Sequence, residues 1–221
     1  MKNNIFTFFA LFSLIHQFAL GQVFSYQTFE NGQSINHRIL MDEVYYVETQ
    51  FTTNSNQFIK TVGGFYQKKG DQLVVDLEFN SNFPKDSLKN IVIEKTDHWK
   101  RVSEKALPLN GKWLMAGRVM GDQERRRDTE RPRKTMKILL AGYFQWIAYD
   151  TATFSFYGTG GGRYTASDGT YTENIDYFSR DNSKVGIALD FEYQRKGADW
   201  YHKGFSSKGD PFHEIWTSRT Q

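Results

Sequence analysis

The stretch FIKTVGGFY at residues 58–66 returns 98 residues further along the chain as FYGTGGGRY at residues 156–164. A phenylalanine, a threonine, a glycine pair and a tyrosine keep their places in both copies. The spacing extends outward, because Glu78-Phe79 aligns with Asp176-Tyr177 at the same distance. Self-similarity at a fixed spacing is the signature of a repeated structural unit. The chain is therefore predicted to contain two related modules in tandem.

The glycines in this repeat have two possible meanings. Gly160, Gly161 and Gly162 resemble a phosphate-binding loop in composition, but no Gly-Lys-Ser/Thr motif or helical pattern follows them. Gly161 and Gly162 stand opposite Gly63 and Gly64 in the first copy. A glycine pair inside a strand pattern indicates a bulge or a sharp bend. We therefore predict a structural role for this pair.

Strand patterns surround the repeat. Segments rich in aromatic and β-branched residues, such as 73–79, 143–149, 170–178 and 185–193, alternate with short turns of the Asp-Gly and Lys-Gly type. Short strands joined by tight turns are typical of antiparallel barrels and sandwiches. The prediction is an all-β protein of two tandem antiparallel modules, at 22–105 and 106–221, the second an up-and-down barrel of about eight strands.

Composition limits the chemistry. The 221 residues include no cysteine, which excludes disulfides, thiol nucleophiles and cysteine-ligated metals. The formal net charge is only +3, too small to indicate a nucleic-acid partner. His202 and His213, with Asp199 and Glu214, lack a metal-binding spacing. We predict no metal site and no cofactor.

The amino terminus has the pattern of an export signal. Lys2 precedes an apolar run from Ile5 to Leu20, and Ala19-Leu20-Gly21 resembles a cleavage site. A membrane anchor is the alternative, but the run is short for a span of roughly 20 residues and carries His16 and Gln17. Residues 1–21 are therefore predicted to be a signal peptide, the mature protein to be secreted or periplasmic, and no stable membrane span to remain.

The second module carries a family resemblance. Asn110-Gly111-Lys112-Trp113 resembles the Gly-x-Trp signature of lipocalin-like (calycin) barrels, and the segments that follow resemble secreted bacterial proteins of that group. The resemblance implies that Trp113 packs beneath Arg219 of the last strand and closes one end of the barrel. The first module has no Gly-x-Trp near its start, which leaves its closure as a barrel open.

Alternation along two strands suggests which side chains meet a ligand. One face of 171–178 holds Tyr171, Glu173, Ile175 and Tyr177, and we favour this face as the interior, where Glu173 needs a partner. Arg118, Arg133 and His202 are the candidates, and a solvated Glu173 is the alternative. For the strand 143–149 both faces remain open. The predicted ligand-binding residues are Arg118, Arg133, Lys134, Trp146, Tyr149, Glu173, Tyr177, Trp200 and His202; the predicted structural signature is Gly111, Trp113, Gly161, Gly162 and Arg219.

Three functions from different classes fit these patterns. The favoured one is a non-catalytic binding protein that holds a small, partly apolar molecule, lipid-like or anionic, in the second module. The next is a structural or protein-interaction role at the cell envelope with a filled barrel. The third is a small-barrel enzyme that uses Glu173 or His202. No catalytic motif is present, so no catalytic residue is assigned, and the oligomeric state stays open.

Overall fold

A computed structural model describes residues 21–94, 98–103 and 105–219, so the predicted signal peptide lies almost wholly outside the described residues. The first seven strands form one open antiparallel sheet, in the order β6-β5-β4-β3-β2-β1-β7. We call it the N-terminal sheet. Its elements are β1 (Gln22–Glu30), β2 (Gln33–Met41), β3 (Tyr45–Thr52), β4 (Phe58–Lys69), β5 (Gln72–Asn80), the short helix α1 (Phe83–Asp86), β6 (Asn90–Glu94) and β7 (Lys100–Ser103).

The second half forms a closed barrel of eight antiparallel strands. Strands β10 to β16 follow one another in the sheet, β16 pairs with β8, and β8 pairs with β10 to complete the circle. The strands are β8 (Gly111–Met120), β9 (Gln123–Arg126), β10 (Arg133–Leu140), β11 (Tyr143–Asp150), β12 (Phe156–Ser167), β13 (Thr170–Phe178), β14 (Ala188–Lys196), β15 (Asp199–Phe205) and β16 (Pro211–Ser218). Strand β9 pairs with residues 117–120 of β8 and lies outside the closed circle of eight strands. The predicted fold class, with its up-and-down barrel, is confirmed.

The glycine pairs of the repeat lie at matching bulges. The register shifts between Gly63 and Gly64 in the N-terminal sheet, and between Gly161 and Gly162 in the barrel. A Cβ on Gly64 would overlap the carbonyl oxygen of Asp76, and one on Gly162 would overlap that of Asn174. Only glycine allows the neighbouring strand to approach this closely. The two copies therefore share a bulge that bends each sheet at the same place.

The two units pack on each other through equivalent faces. Phe51 stacks on Tyr177 with ring centroids 5.0 Å apart, and Phe79 meets Tyr149 at 5.1 Å. These are reciprocal pairs, because the repeat aligns Phe51 with Tyr149 and Phe79 with Tyr177. The repeat-equivalent Phe58 and Phe156 stack on each other at 6.0 Å. Such reciprocity is the pattern of a two-fold interface within one chain.

The interface between the N-terminal sheet and the barrel combines a continuous apolar core with ion pairs. One buried cluster draws Val23, Leu40 and Val47 from the N-terminal sheet and Ile138 and Ile147 from the barrel. The acids at the two bulges each reach across: Glu78 forms two 2.7 Å hydrogen bonds with Arg219, and Asp176 accepts one of 2.6 Å from Arg38. The sheet that faces the barrel is therefore fixed both by apolar burial and by charge.

Candidate functional site

The barrel interior contains a buried ion pair. Lys137 on β10 donates to Oε1 of Glu173 on β13 over 2.6 Å, and the two side chains are 6% and 7% exposed. The hydroxyl of Tyr171 donates to the same carboxylate oxygen at 2.8 Å. Glu173 therefore faces inward, as its strand pattern suggests. Its partner is Lys137, and not Arg118, Arg133 or His202.

Four aromatic rings surround the ammonium group of Lys137. Its Nζ lies 5.1–5.9 Å from their centroids, a distance at which the negative faces of aromatic rings attract a cation. The ion pair is thus held away from water by aromatic side chains that also form the barrel core. The four rings are those of Tyr171, Phe191, Trp200 and Trp216.

His202 lies beside this pair and is 1% exposed. Burial, and then the nearby charges of Lys137 and His213, hold the pKa of His202 well below its usual value, so the ring is neutral at pH 7. The nearest carboxylate oxygen, on Glu214, is 4.0 Å from Nδ1. Within the described part of the chain, neither ring nitrogen has a hydrogen-bond partner, and neither does Nε1 of Trp216. Buried polar atoms without partners are uncommon in folded proteins.

A cavity of about 320 Å³ connects these groups to one end of the barrel. Lys137, Glu173, His202 and Trp216 line its inner end, which we call the floor. Arg180, an exposed residue just after β13, lies at the outer end, which we call the mouth; its guanidinium donates to the carbonyl of Tyr157. The walls between floor and mouth are mainly apolar and include Phe144, Trp146, Ile175, Phe178, Leu189, Phe191 and Phe212.

The opposite end of the barrel is filled. The indole of Trp113 is buried and its Nε1 donates to the carbonyl of Leu109 over 2.8 Å. The guanidinium of Arg195 on β14 lies 4.6 Å from the centroid of the Trp113 ring. Arg219 instead binds Glu78 of the N-terminal sheet. In this chain Arg195, and not the Arg219 that the resemblance implies, covers the tryptophan.

Of the nine predicted ligand-binding residues, four surround the cavity or its floor. Trp146, Glu173 and His202 line it, and Trp200 is one of the rings around Lys137. On β11 the interior face is the one with Phe144 and Trp146, which places Tyr149 against the N-terminal sheet.

Tyr177 also points to the N-terminal sheet, because the bulge of β13 reverses the alternation after Ile175. Phe178 takes the inward position instead.

The three predicted cations lie outside the cavity. Arg118 is 61% exposed and its Nη2 is 3.5 Å from Glu214. Arg133 covers the ring of Tyr157, and Lys134 donates to the carbonyl of Thr129. The cation that sequence reasoning missed is Lys137. Its signal is a single charge within the apolar run Met136-Lys137-Ile138-Leu139-Leu140, at a position that alternation assigns to the barrel interior.

Among the described residues, no group of three or more His, Asp or Glu side chains is arranged to hold a metal ion. Nor does the described part of the chain contain a helix long and apolar enough to cross a membrane.

A scan against protein-family models and a search of curated proteins both find no match for this chain.

Proposed function

We propose that this chain is a secreted, non-catalytic binding protein of the lipocalin-like (calycin) kind, which holds a small, partly apolar ligand in its barrel. The observation that carries the proposal is the cavity of about 320 Å³ whose floor holds buried polar atoms without partners. Its volume is at the lower end of the roughly 300–1,000 Å³ typical of ligand pockets. Apolar walls with a few convergent polar groups are the usual composition of such sites.

The charges at the two ends of the cavity support one orientation of the ligand. The walls suit an apolar body, whereas the guanidinium of Arg180 at the mouth suits an anionic or polar outer end. Residues 1–21 support export to the periplasm or the medium. The closed eight-stranded barrel is compatible with the lipocalin-like resemblance of Gly111 and Trp113.

Native mass spectrometry of the full chain, purified from the compartment to which it is exported, tests the proposal. The expected result is a co-purified small molecule that remains bound under gentle ionisation. Leu189→Trp places a larger side chain on the cavity wall, where it occupies the ligand space, and should abolish this adduct. Ile59→Trp, at an exposed position of the N-terminal sheet, is the matched control and should retain it.

Two outcomes would contradict the proposal. One is an adduct that survives Leu189→Trp unchanged, since the molecule would then lie outside the barrel. The other is the absence of any adduct together with no calorimetric binding of apolar or aromatic probes. That second outcome would favour the protein-interaction role instead.

A further inference from the structure

The floor of the cavity indicates a more specific ligand class, an inference that rests on the proposed function. We propose that the barrel selects ligands whose inner end is a planar, uncharged group with both a hydrogen-bond acceptor and a donor. An amide or lactam edge on an aromatic ring is the simplest group with these properties. The site would thereby disfavour a ligand whose carboxylate lies at the inner end.

The charge balance of the floor disfavours an anionic inner end. Lys137 and Glu173 neutralise each other across 2.6 Å, and the buried ring of His202 adds no charge. Glu214, which also lines the cavity, adds a carboxylate whose Oε1 lies 3.5 Å from Nη2 of Arg118. A carboxylate placed on this floor would therefore be an additional, uncompensated charge in aromatic surroundings. Burying a charge without a counter-ion is strongly unfavourable, whereas a neutral amide avoids that cost.

The floor also has unused hydrogen-bonding capacity of both kinds, donor and acceptor. A neutral histidine ring has one donor nitrogen and one acceptor nitrogen, and both nitrogens of His202 lack partners among the described residues. Trp216 supplies only a donor, and its Nε1 is unpartnered as well. A ligand edge with a carbonyl oxygen and an N–H group matches these requirements. A hydrocarbon end would leave them unsatisfied.

The aromatic walls of the cavity favour a flat ligand. Trp146 and Phe178 meet edge to face with centroids 5.5 Å apart, and both line the cavity. Phe191 and Phe212 line it as well, with their own centroids 5.6 Å apart. Aromatic rings interact with one another in stacked or edge-to-face geometry. A flat aromatic ligand therefore gains contacts that a flexible alkyl chain does not.

Isothermal titration calorimetry of the full chain with 2-naphthamide and 2-naphthoate tests the inference, because these probes have nearly the same shape and differ in charge. We expect the amide to bind at least about tenfold more tightly at pH 7.5. Decanoate, the third probe, can place its carboxylate beside Arg180 at the mouth with its chain inside, but it should still bind more weakly than the amide because it leaves the polar atoms of the floor without partners. The comparison uses the unmodified protein, so it does not depend on the folding of a variant.

Glu173→Gln should change the preference of the site for the amide over the carboxylate probe. Removing this carboxylate leaves the charge of Lys137 uncompensated on the floor, so naphthoate should gain affinity and the tenfold preference for the amide should vanish or reverse. Glu192→Gln makes the same chemical change at a side chain that is 81% exposed on β14, and it should leave the preference unchanged.

The outcomes separate the two proposals. Equal or tighter binding of naphthoate or decanoate to the unmodified protein would overturn the neutral-head inference and leave the binding function standing. An amide preference that persists in Glu173→Gln would also overturn the inference, because the floor charge would then not be its cause. Failure of all three probes, together with the absence of a co-purified molecule, would overturn the binding function itself.

Discussion

The N-terminal sheet and the barrel each bury a glutamate among aromatic residues, but they satisfy the surrounding polar atoms differently. Glu48 in the sheet accepts hydrogen bonds of 2.7 Å from both His37 and Tyr46, and a further one of 3.2 Å from Gln50. In the barrel, Glu173 is paired with Lys137, yet the adjacent His202 has no hydrogen-bond partner in the described part of the chain. The first cluster is complete as a structural network, whereas the second retains capacity for a ligand.

The sheet and the barrel also differ in closure. Within the described residues, the N-terminal sheet ends in β6 on one side and β7 on the other, and these two edges are not paired. A depression of about 480 Å³ on this sheet is larger than the barrel cavity, but charged side chains such as Glu43, Lys68 and Asp71 line it. Volume alone is therefore a poor guide to the site. The burial of unsatisfied polar atoms favours the barrel.

Separating the two units is the strongest test of the comparison. Residues 106–221 alone would expose the face that carries Ile138, Ile147 and Tyr149, all of them buried in the full chain. We expect this fragment to unfold cooperatively, as the repeat predicts, but to self-associate through the exposed face. Size-exclusion chromatography with light scattering measures the mass.

A fragment that stays monomeric at high concentration would mean that the shared core contributes little to either unit. The full chain serves as the control for the same measurement, because its two equivalent faces already cover each other.

The closed end of the barrel provides a second test. Trp113→Ala removes a buried indole and its hydrogen bond to Leu109, so the free energy of unfolding should fall by about 3–5 kcal/mol. Phe205→Ala, at a largely exposed ring, is the control and should change it by less than about 1 kcal/mol. Urea denaturation measures both values. Equal effects would show that Trp113 does not anchor the barrel.

Much of the architecture is readable from the sequence, because alternation and turns are local properties. The repeat at Gly63 and Gly161 predicts the two related units and their bulges. Two features are not readable in this way. The bulge of β13 reverses the faces after Ile175, which moves Tyr177 out of the barrel.

The partners of charged residues are the second unreadable feature, because they depend on which strands meet in space. Arg219 pairs with Glu78, 141 positions away, and Glu173 pairs with Lys137 across the barrel. No local pattern specifies either contact. The resemblance to a calycin signature correctly singles out Trp113 as buried, yet the arginine above it comes from a different strand.

The pH dependence of stability should distinguish the two buried clusters with the smallest perturbation of the chain. Burial alone would raise the pKa of Glu48, but hydrogen bonds from His37, Tyr46 and Gln50 lower it to about 2. A carboxyl group with a lowered pKa stabilises the fold above its unfolded value of 4.5 and loses that contribution as pH falls toward 2. The loss should reach about 3 kcal/mol and be absent in Glu48→Gln.

His202 affects stability in a higher pH range, because burial itself lowers its pKa, whereas burial opposes the lowering of the Glu48 pKa. Its pKa is lowered mainly by burial, so the folded protein keeps the ring neutral while the unfolded chain takes up a proton below about 6.5. Stability should therefore fall as pH drops below that value, and His202→Phe should reduce this loss without changing the lower range set by Glu48. Thermal unfolding of the wild type and both variants from pH 7.5 to 2.5 separates the two ranges. If His202→Phe removed none of the loss between pH 6.5 and 5, the ring would not be held neutral, and the contrast between the satisfied Glu48 cluster and the unsatisfied barrel floor would fail at His202.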